Sequence, residues 1–508
     1  MQAWPRLGST NVMKLEPLLA YVRAHRLRLV GAALVTAVAA YLLVKSVTSG
    51  TILNNQYDDA YITYRYAIHL ARGQGLVFNV GERTDSASSF SFAVLLAVLY
   101  RLGLHGLEGV STCIGVASAA LTAATVFYAA AGSTRGWLAP LGMGVFSAYH
   151  GFISGWAGSG METCFYALIV TVVVARFFVC GRSDRWTVAL LCLSVLTRPE
   201  GVLLVAGWLL TSLLRCGERA ARRRLLVQAG SLLAVAAVFY ALKWAYYGTP
   251  LPHSFLFKRV ALWYQPNRAE LLDRWTKYAT FASLVAAGGL VCLPRVSSSV
   301  GLGAFLLLSA VTIVRGPWSS EVRYSVHLLP TLALLAALAL ERLRRSLWPL
   351  AVGLGFLLYG EATSSFEHMR GSEQWYSGHE ICRRQLGQYL ASHLPDGAEV
   401  LSSDLGSIAY HAIDQSFVDM IGLTSADVLQ KYLAGDNADD VLERKRPTWV
   451  ADTFNGPRYN AIKFIGGGAT VEPLRPSTMV ARIDVGPPVL SCTSPDGQVF
   501  GVSKVTMR

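Results

Sequence analysis

Long apolar runs separated by short polar or basic stretches fill the chain as far as about residue 363. The first, Leu29 to Val47, is long enough to cross the roughly 30 Å hydrocarbon layer. Runs of similar character follow at 110–131, 137–153, 164–179, 225–245, 275–293, 300–314, 324–340 and 347–363. The stretch 186–214 is apolar but is interrupted by Thr197-Arg198-Pro199-Glu200. Proline disfavours a continuous helix there, so two short helices joined at an elbow are expected. Ser88 to Leu104 is at the lower length limit for crossing and starts with polar residues. These runs predict about eleven membrane-crossing helices.

The basic residues decide how the shorter runs are read. Arg23, Arg26 and Arg28, then Arg182 and Arg185, Arg219 to Arg224, and Arg342 to Arg345 lie between runs. They share one side of the membrane if 88–104 lies along the surface as a juxtamembrane helix and 186–214 crosses twice. The positive-inside rule makes that side the cytoplasm. The elbow Arg198-Pro199-Glu200 then sits at the floor of a cavity open to the opposite side, since irregular backbone at depth is tolerated where protein or water lines it.

Composition agrees with a multi-pass protein of the plasma (inner) membrane. Of 508 residues, 53% are hydrophobic and 15% charged, below the ~25% usual for soluble chains. The net charge of +13 is accounted for by topology, so no nucleic-acid partner is expected. No cleavable signal peptide is evident. From Ser364 onward the chain is normally polar, giving a domain 364–508 after the membrane domain 1–363. With this span count the tail is extracytoplasmic. A helix at 372–393, strand-like runs at 399–402, 408–410 and 448–451, a helix near 425–433 and a β-rich end from 479 to 505 predict a small α/β fold. Among eight cysteines no CxxC or Cys/His metal spacing occurs; Cys382 and Cys492 are the tail's candidate pair.

On the non-cytoplasmic side, polar residues recur beside the membrane. Asp58 and Asp59 leave the first span, followed by Tyr61, Tyr64 and Arg65. Glu162 precedes a span, Arg198 and Glu200 form the elbow, His253 and Lys258 follow the loop 246–254, and Arg323 follows Glu321 at the opening of another span. Each has a structural reading: capped helix ends, interfacial anchors, an exposed loop histidine. Together they supply a carboxylate to take a proton from an acceptor hydroxyl and cations to receive a leaving phosphate. No ligand spacing singles out a metal; a divalent cation stays open.

The order Asp-Asp-Ala-Tyr-Ile-Thr-Tyr-Arg-Tyr-Ala (58–67), Gly75-Leu76-Val77-Phe78-Asn79, Gly160-Met161-Glu162-Thr163, Arg198-Pro199-Glu200-Gly201, Tyr247 to Pro252 and Arg323-Tyr324 resembles polyprenyl-phosphate-dependent glycosyltransferases of the GT-C superfamily. More narrowly it is similar to mycobacterial terminal arabinofuranosyltransferases, departing from their pattern at Asp85 to Phe90. The resemblance implies a GT-C-like fold, a polyprenyl-phosphate sugar as donor, a glycan, lipid or protein as acceptor, and an essential aspartate at Asp58 or Asp59. Tyr61, Arg65, Glu162, Arg198, Glu200, His253, Lys258 and Arg323 are expected to bind substrate. A transporter or flippase of lipid-linked sugars is the alternative, favoured by the broken helix. A sensor with a membrane anchor would leave the loop chemistry unexplained.

Overall fold

The computed structural model describes residues 15–48, 56–260, 286–315, 322–346, 378–434, 436, 438–455, 458–459 and 483–507. The expected span 347–363, most of 275–293, Glu321 and the proposed domain boundary lie outside these. The first long helix, α1, is Leu15–Thr48. It is followed by α2 (Asp58–Ala71), α3 (Phe90–Arg101), α4 (Leu107–Ser133), α5 (Leu138–Tyr149), α6 (Gly151–Gly158) and α7 (Thr163–Val173). Next come α8 (Arg185–Thr197), α9 (Gly201–Leu214), α10 (Arg219–Tyr247) and α11 (His253–Val260). Helices at Val296–Arg315 and Leu329–Ser346 complete the described membrane part.

Among the described residues, five helices are long and apolar enough to cross a membrane: α1, α4, α10, Val296–Ile313 and Val326–Leu343. α10 shows why the solvent around it is lipid. Leu226 is 73% and Leu233 72% exposed, and only Leu225 and Lys243 on this helix are buried. An apolar surface of that extent is not tolerated in water.

α3 has 12 residues, or about 18 Å of helix, too short to cross. That length suits the juxtamembrane position expected for 88–104. The run 186–214 breaks where proline and its neighbours require it. Arg198 is extended (φ −145°, ψ 142°) and ends α8, and Glu200 opens α9. The expected single span 137–153 differs, because it is two helices. His150 is extended and its ring accepts the Phe152 N–H, which starts α6 afresh.

The tail folds as expected in outline. A helix through 378–393 precedes a mixed sheet in the order β2-β1-β3-β6-β5, with β4 pairing β3. Strand ranges are β1 Glu399–Ser402, β2 Ser416–Asp419, β3 Trp449–Asn455, β4 Arg458–Tyr459, β5 Ile483–Thr493 and β6 Val499–Met507. β1 runs parallel to β2 and β3, while β6 is antiparallel to β3 and β5. Ile408 to Tyr410, expected as a strand, belongs instead to a short helix, Ser407–His411. Its first N–H groups meet a carboxylate from the membrane part, which favours a helix start over a strand. The Cys382–Cys492 disulfide forms and ties the 378–393 helix to β5.

α2 lies between the two parts and holds them in register. Ala60 to His69 are all buried. Tyr61, Tyr64 and Ile68 pack with Phe92, Ala123 and Trp156 of the bundle. Ile62 and Tyr66 pack with Leu386, Ile408 and Phe417 of the tail. The loop after α2 reinforces this. The Asn79 side chain donates to the Phe417 carbonyl at 2.8 Å and accepts its N–H at 3.0 Å, closing the free edge of β2 as a neighbouring strand would.

Candidate active site

Two adjacent carboxylates at the start of α2 have different surroundings. Asp58 accepts the N–H groups of Gly406 (3.0 Å) and Ser407 (2.8 Å). Arg383 is 3.7 Å from it and also binds Asp404 at 2.8 Å. A Cβ at Gly406 would overlap Asp58, so only glycine permits this approach. Burial, opposed chiefly by Arg383, pushes the Asp58 carboxyl up to about 7. Asp59 is instead 48% exposed, against 18% for Asp58. Its carboxylate receives Arg323 Nη1 at 2.6 Å.

Arg323 joins Asp59 to two further segments. The same nitrogen lies 3.6 Å from Met161 Sδ, and Nη2 donates to the Tyr324 hydroxyl at 3.1 Å. Beside Met161, Glu162 is buried and binds Arg198 Nε at 2.7 Å. The Arg198 guanidinium stacks 5.8 Å from the rings of both Tyr166 and Tyr324. Glu200 is half-buried on the same elbow, and one of its carboxylate oxygens has no hydrogen-bond partner among the described residues. Asp59, Glu162, Arg198 and Arg323 are thus connected, although they come from four separate stretches of sequence. A joint between two of those stretches makes this possible. The Tyr57 N–H donates to the Ser159 carbonyl at 3.0 Å, and Gly160 takes φ +77° where a side chain would strike Gln56 and Tyr64.

His253 belongs to a second cluster. Its backbone N–H donates to the Asp85 carbonyl at 2.7 Å, and its Nδ1 accepts the Asp85 N–H at 3.0 Å. Burial lowers its pKa, in keeping with a neutral ring that accepts. The Asp85 carboxylate pairs with Lys243 at 2.5 Å, and all three residues are buried. Lys243 was missed by the sequence reasoning, yet a lysine between Leu242 and Trp244 in an otherwise apolar span is a detectable signal. The start of α3 runs between the clusters. Ser91 hydrogen-bonds Thr197, next to Arg198, at 2.7 Å, and Phe90 packs on Phe239, one turn before Lys243.

Other expected binding residues face elsewhere. Arg65 is 1% exposed and its guanidinium donates to the carbonyls of Phe78 (2.7 Å), Ala409, Ala412 (3.1 Å) and Gln415 (2.6 Å). With four of its five N–H donors on main-chain carbonyls and the side chain buried, it joins α2 to the tail. The fully buried Tyr61 donates to Glu380 at 2.8 Å, again across that junction. Lys258 lies on α11, and its side chain is outside the described residues. Among the described residues, no three His, Cys, Asp or Glu side chains converge to hold a metal ion.

A family profile for a domain of unknown function, DUF8728, matches residues 368–483. No curated protein matches the chain in sequence. In structure the chain is similar to ArnT from Cupriavidus metallidurans bound to undecaprenyl phosphate, with TM-score 0.59 and 14% identity over 93% of this chain and 97% of that one. The apo form of the same protein gives TM-score 0.57 and 13% identity over the same shares. The fold is GT-C-like. A weaker likeness, TM-score 0.49 with 15% identity, exists to an Archaeoglobus fulgidus oligosaccharyltransferase in complex with Zn and sulfate, over 92% of this chain and 72% of that one.

Proposed function

We propose that this membrane protein transfers a sugar, arabinofuranose by the resemblance of its loops, from a polyprenyl phosphate to a cell-envelope glycan or other acceptor outside the cytoplasm. The observation that carries the reading is the 2.6 Å Asp59–Arg323 bridge beside the buried Glu162–Arg198 pair, which gathers a reachable carboxylate and two cations in one place. A GT-C-like fold, similar to a protein bound to undecaprenyl phosphate, supports the lipid-linked donor. The disulfide in the tail supports an oxidising, non-cytoplasmic side.

In this mechanism the acceptor oxygen attacks the anomeric carbon as the bond from that carbon to the phosphate oxygen breaks. The bonding pair leaves with the phosphate, and the hydroxyl proton passes to Asp59. Arg323 holds Asp59 before substrate binds. An incoming phosphate competes for the same guanidinium, which weakens that bridge and frees a carboxylate oxygen to accept the hydroxyl proton when the acceptor is present. Arg198, kept in place by Glu162, faces the developing phosphate charge. Lys243 and His253, one with its charge matched by Asp85, form a second polar lobe for the donor sugar or phosphate.

The test is transfer by the purified protein in detergent, with synthetic polyprenyl-phosphate arabinofuranose and an oligosaccharide acceptor. Product that requires Asp59 and Arg323 supports the reading. Absence of product with pentose and hexose donors alike, together with movement of the lipid-linked sugar across sealed vesicles, would replace it with transport.

A further inference from the structure

The other end of α10 carries a feature that the transfer reading does not use. Where α8 and α10 begin, a cavity of about 560 Å³ lies between them. Val188 and Val227 line it, with Arg185, Arg223 and Arg224 from the two helix starts. Ser183 Oγ donates to Gln228 Oε1 at 3.0 Å, tying the two segments together. The acid in the lining, Asp184, is already matched: it pairs with Arg176 at 2.7 Å and accepts the Thr187 N–H at 3.0 Å. Arg185, Arg223 and Arg224 are exposed, and none pairs with a described carboxylate.

Position makes this more than a cluster of topogenic arginines. Leu226 and Val227, on the next turn of α10, are 73% and 63% exposed, so the apolar band of the helix begins there. Arg223 and Lys243 are separated by about 30 Å along α10, the hydrocarbon thickness. The cations therefore stand at headgroup level of one leaflet, and an apolar crevice descends from them. We infer that this crevice binds one anionic glycerophospholipid, its phosphate among Arg185, Arg223 and Arg224 and an acyl chain along Val188 and Val227. The bilayer supplies this occupant at high local concentration, and basic pockets between helices on a membrane face are suited to such headgroups.

The test uses the full chain in nanodiscs of mixed phosphatidylglycerol and phosphatidylcholine, transferred to mild detergent, with retained lipid counted by native mass spectrometry. We expect the unaltered protein to keep phosphatidylglycerol about tenfold over phosphatidylcholine. Arg223→Gln with Arg224→Gln should erase the preference. Arg219→Gln with Arg222→Gln, the same charge change outside the cavity lining, should keep it. Equal behaviour of the two double variants, or equal retention of both lipids by the unaltered protein, would overturn the site. Excess inorganic phosphate should leave the lipid in place; its displacement would mean a phosphate site without lipid recognition. Should the α10 double variant fail to accumulate, Arg185→Gln on α8 carries the same expectation. These readouts do not involve sugar transfer, so they stand or fail separately from it.

Discussion

Asp58 and Asp59 are neighbours in sequence with separate tasks in the fold. Asp59 is the exposed one, and Asp59→Asn should lower transfer by about 10²–10⁴-fold, the range for removing a general base, with the melting temperature unchanged. Asp58→Ala should do the reverse at first: it leaves the Gly406 and Ser407 N–H groups without their acceptor, a loss of about 1–3 kcal/mol in stability, while Arg383 keeps Asp404. Thermal unfolding and turnover measured on both variants separate the roles; a wild-type rate for Asp59→Asn removes it as the base. Glu380 offers a pH test of the same junction. Burial pushes its carboxyl up to about 7 from 4.5, despite hydrogen bonds from Ser407 and Tyr61. The native state therefore holds a proton that the unfolded chain has released over that window. Its contribution favours folding at the acid end and is lost as pH rises toward about 7. Other groups titrate too, so the readout is the difference between unaltered protein and Glu380→Gln. On acidification from about pH 8 to about pH 5 the unaltered protein should gain stability relative to Glu380→Gln. A relative loss over that range contradicts the assignment.

At the level of elements, what could be read from the sequence followed chemistry local to the chain. Pro199 announces the elbow between α8 and α9, and the polar start of 88–104 precedes a helix of only 12 residues. The strand at 449–455 appears where β-branched and aromatic residues cluster, and that at 399–402 as a short run around Val400 and Leu401. His150 gives no comparable warning, because the break between α5 and α6 depends on its ring accepting a backbone N–H. The 407–411 helix was illegible for a different reason: the group that favours its start, Asp58, is some 350 positions away. Arg65 looked like a substrate ligand because an arginine on an outer loop carries no mark of the four carbonyls waiting for it in the fold. The pairing of Cys382 with Cys492 likewise depended on a distance only the fold supplies, a Cα separation of 5.4 Å. That bond holds the helix bearing Glu380 and Arg383 against β5. Cys382→Ser with Cys492→Ser should cost about 2–5 kcal/mol and show first as local unfolding of 378–393 in hydrogen exchange. Exchange there as slow as in the unaltered protein would mean that packing alone fixes the helix.

The molecule as a whole has a direction, and the reaction requires one. Asp59 is joined to the elbow through Arg323 and Glu162 and to the tail through α2; the start of α8 lies about 20 Å of helix from the elbow, and the start of α10 about 30 Å of helix from Lys243. An even number of crossings between α2 and α10's N-terminal end would put them together and make an exterior acceptor unreachable. The arrangement adopted here, with α3 along the surface and α8–α9 crossing as an elbow, gives opposite sides. Cysteine labelling decides between these parities. In a background lacking the exposed Cys113 and Cys180, Ser392→Cys reports the tail and Arg219→Cys reports the start of α10. With intact cells, an impermeant maleimide should modify position 392 and spare position 219, which should react only after the membrane is opened. Modification of both from the same side would show that one short helix crosses where it is here assigned to the surface, or the converse. Were both positions instead spared until the membrane is opened, the carboxylate–guanidinium pairs would keep their distances, but an acceptor outside the cell could no longer reach Asp59.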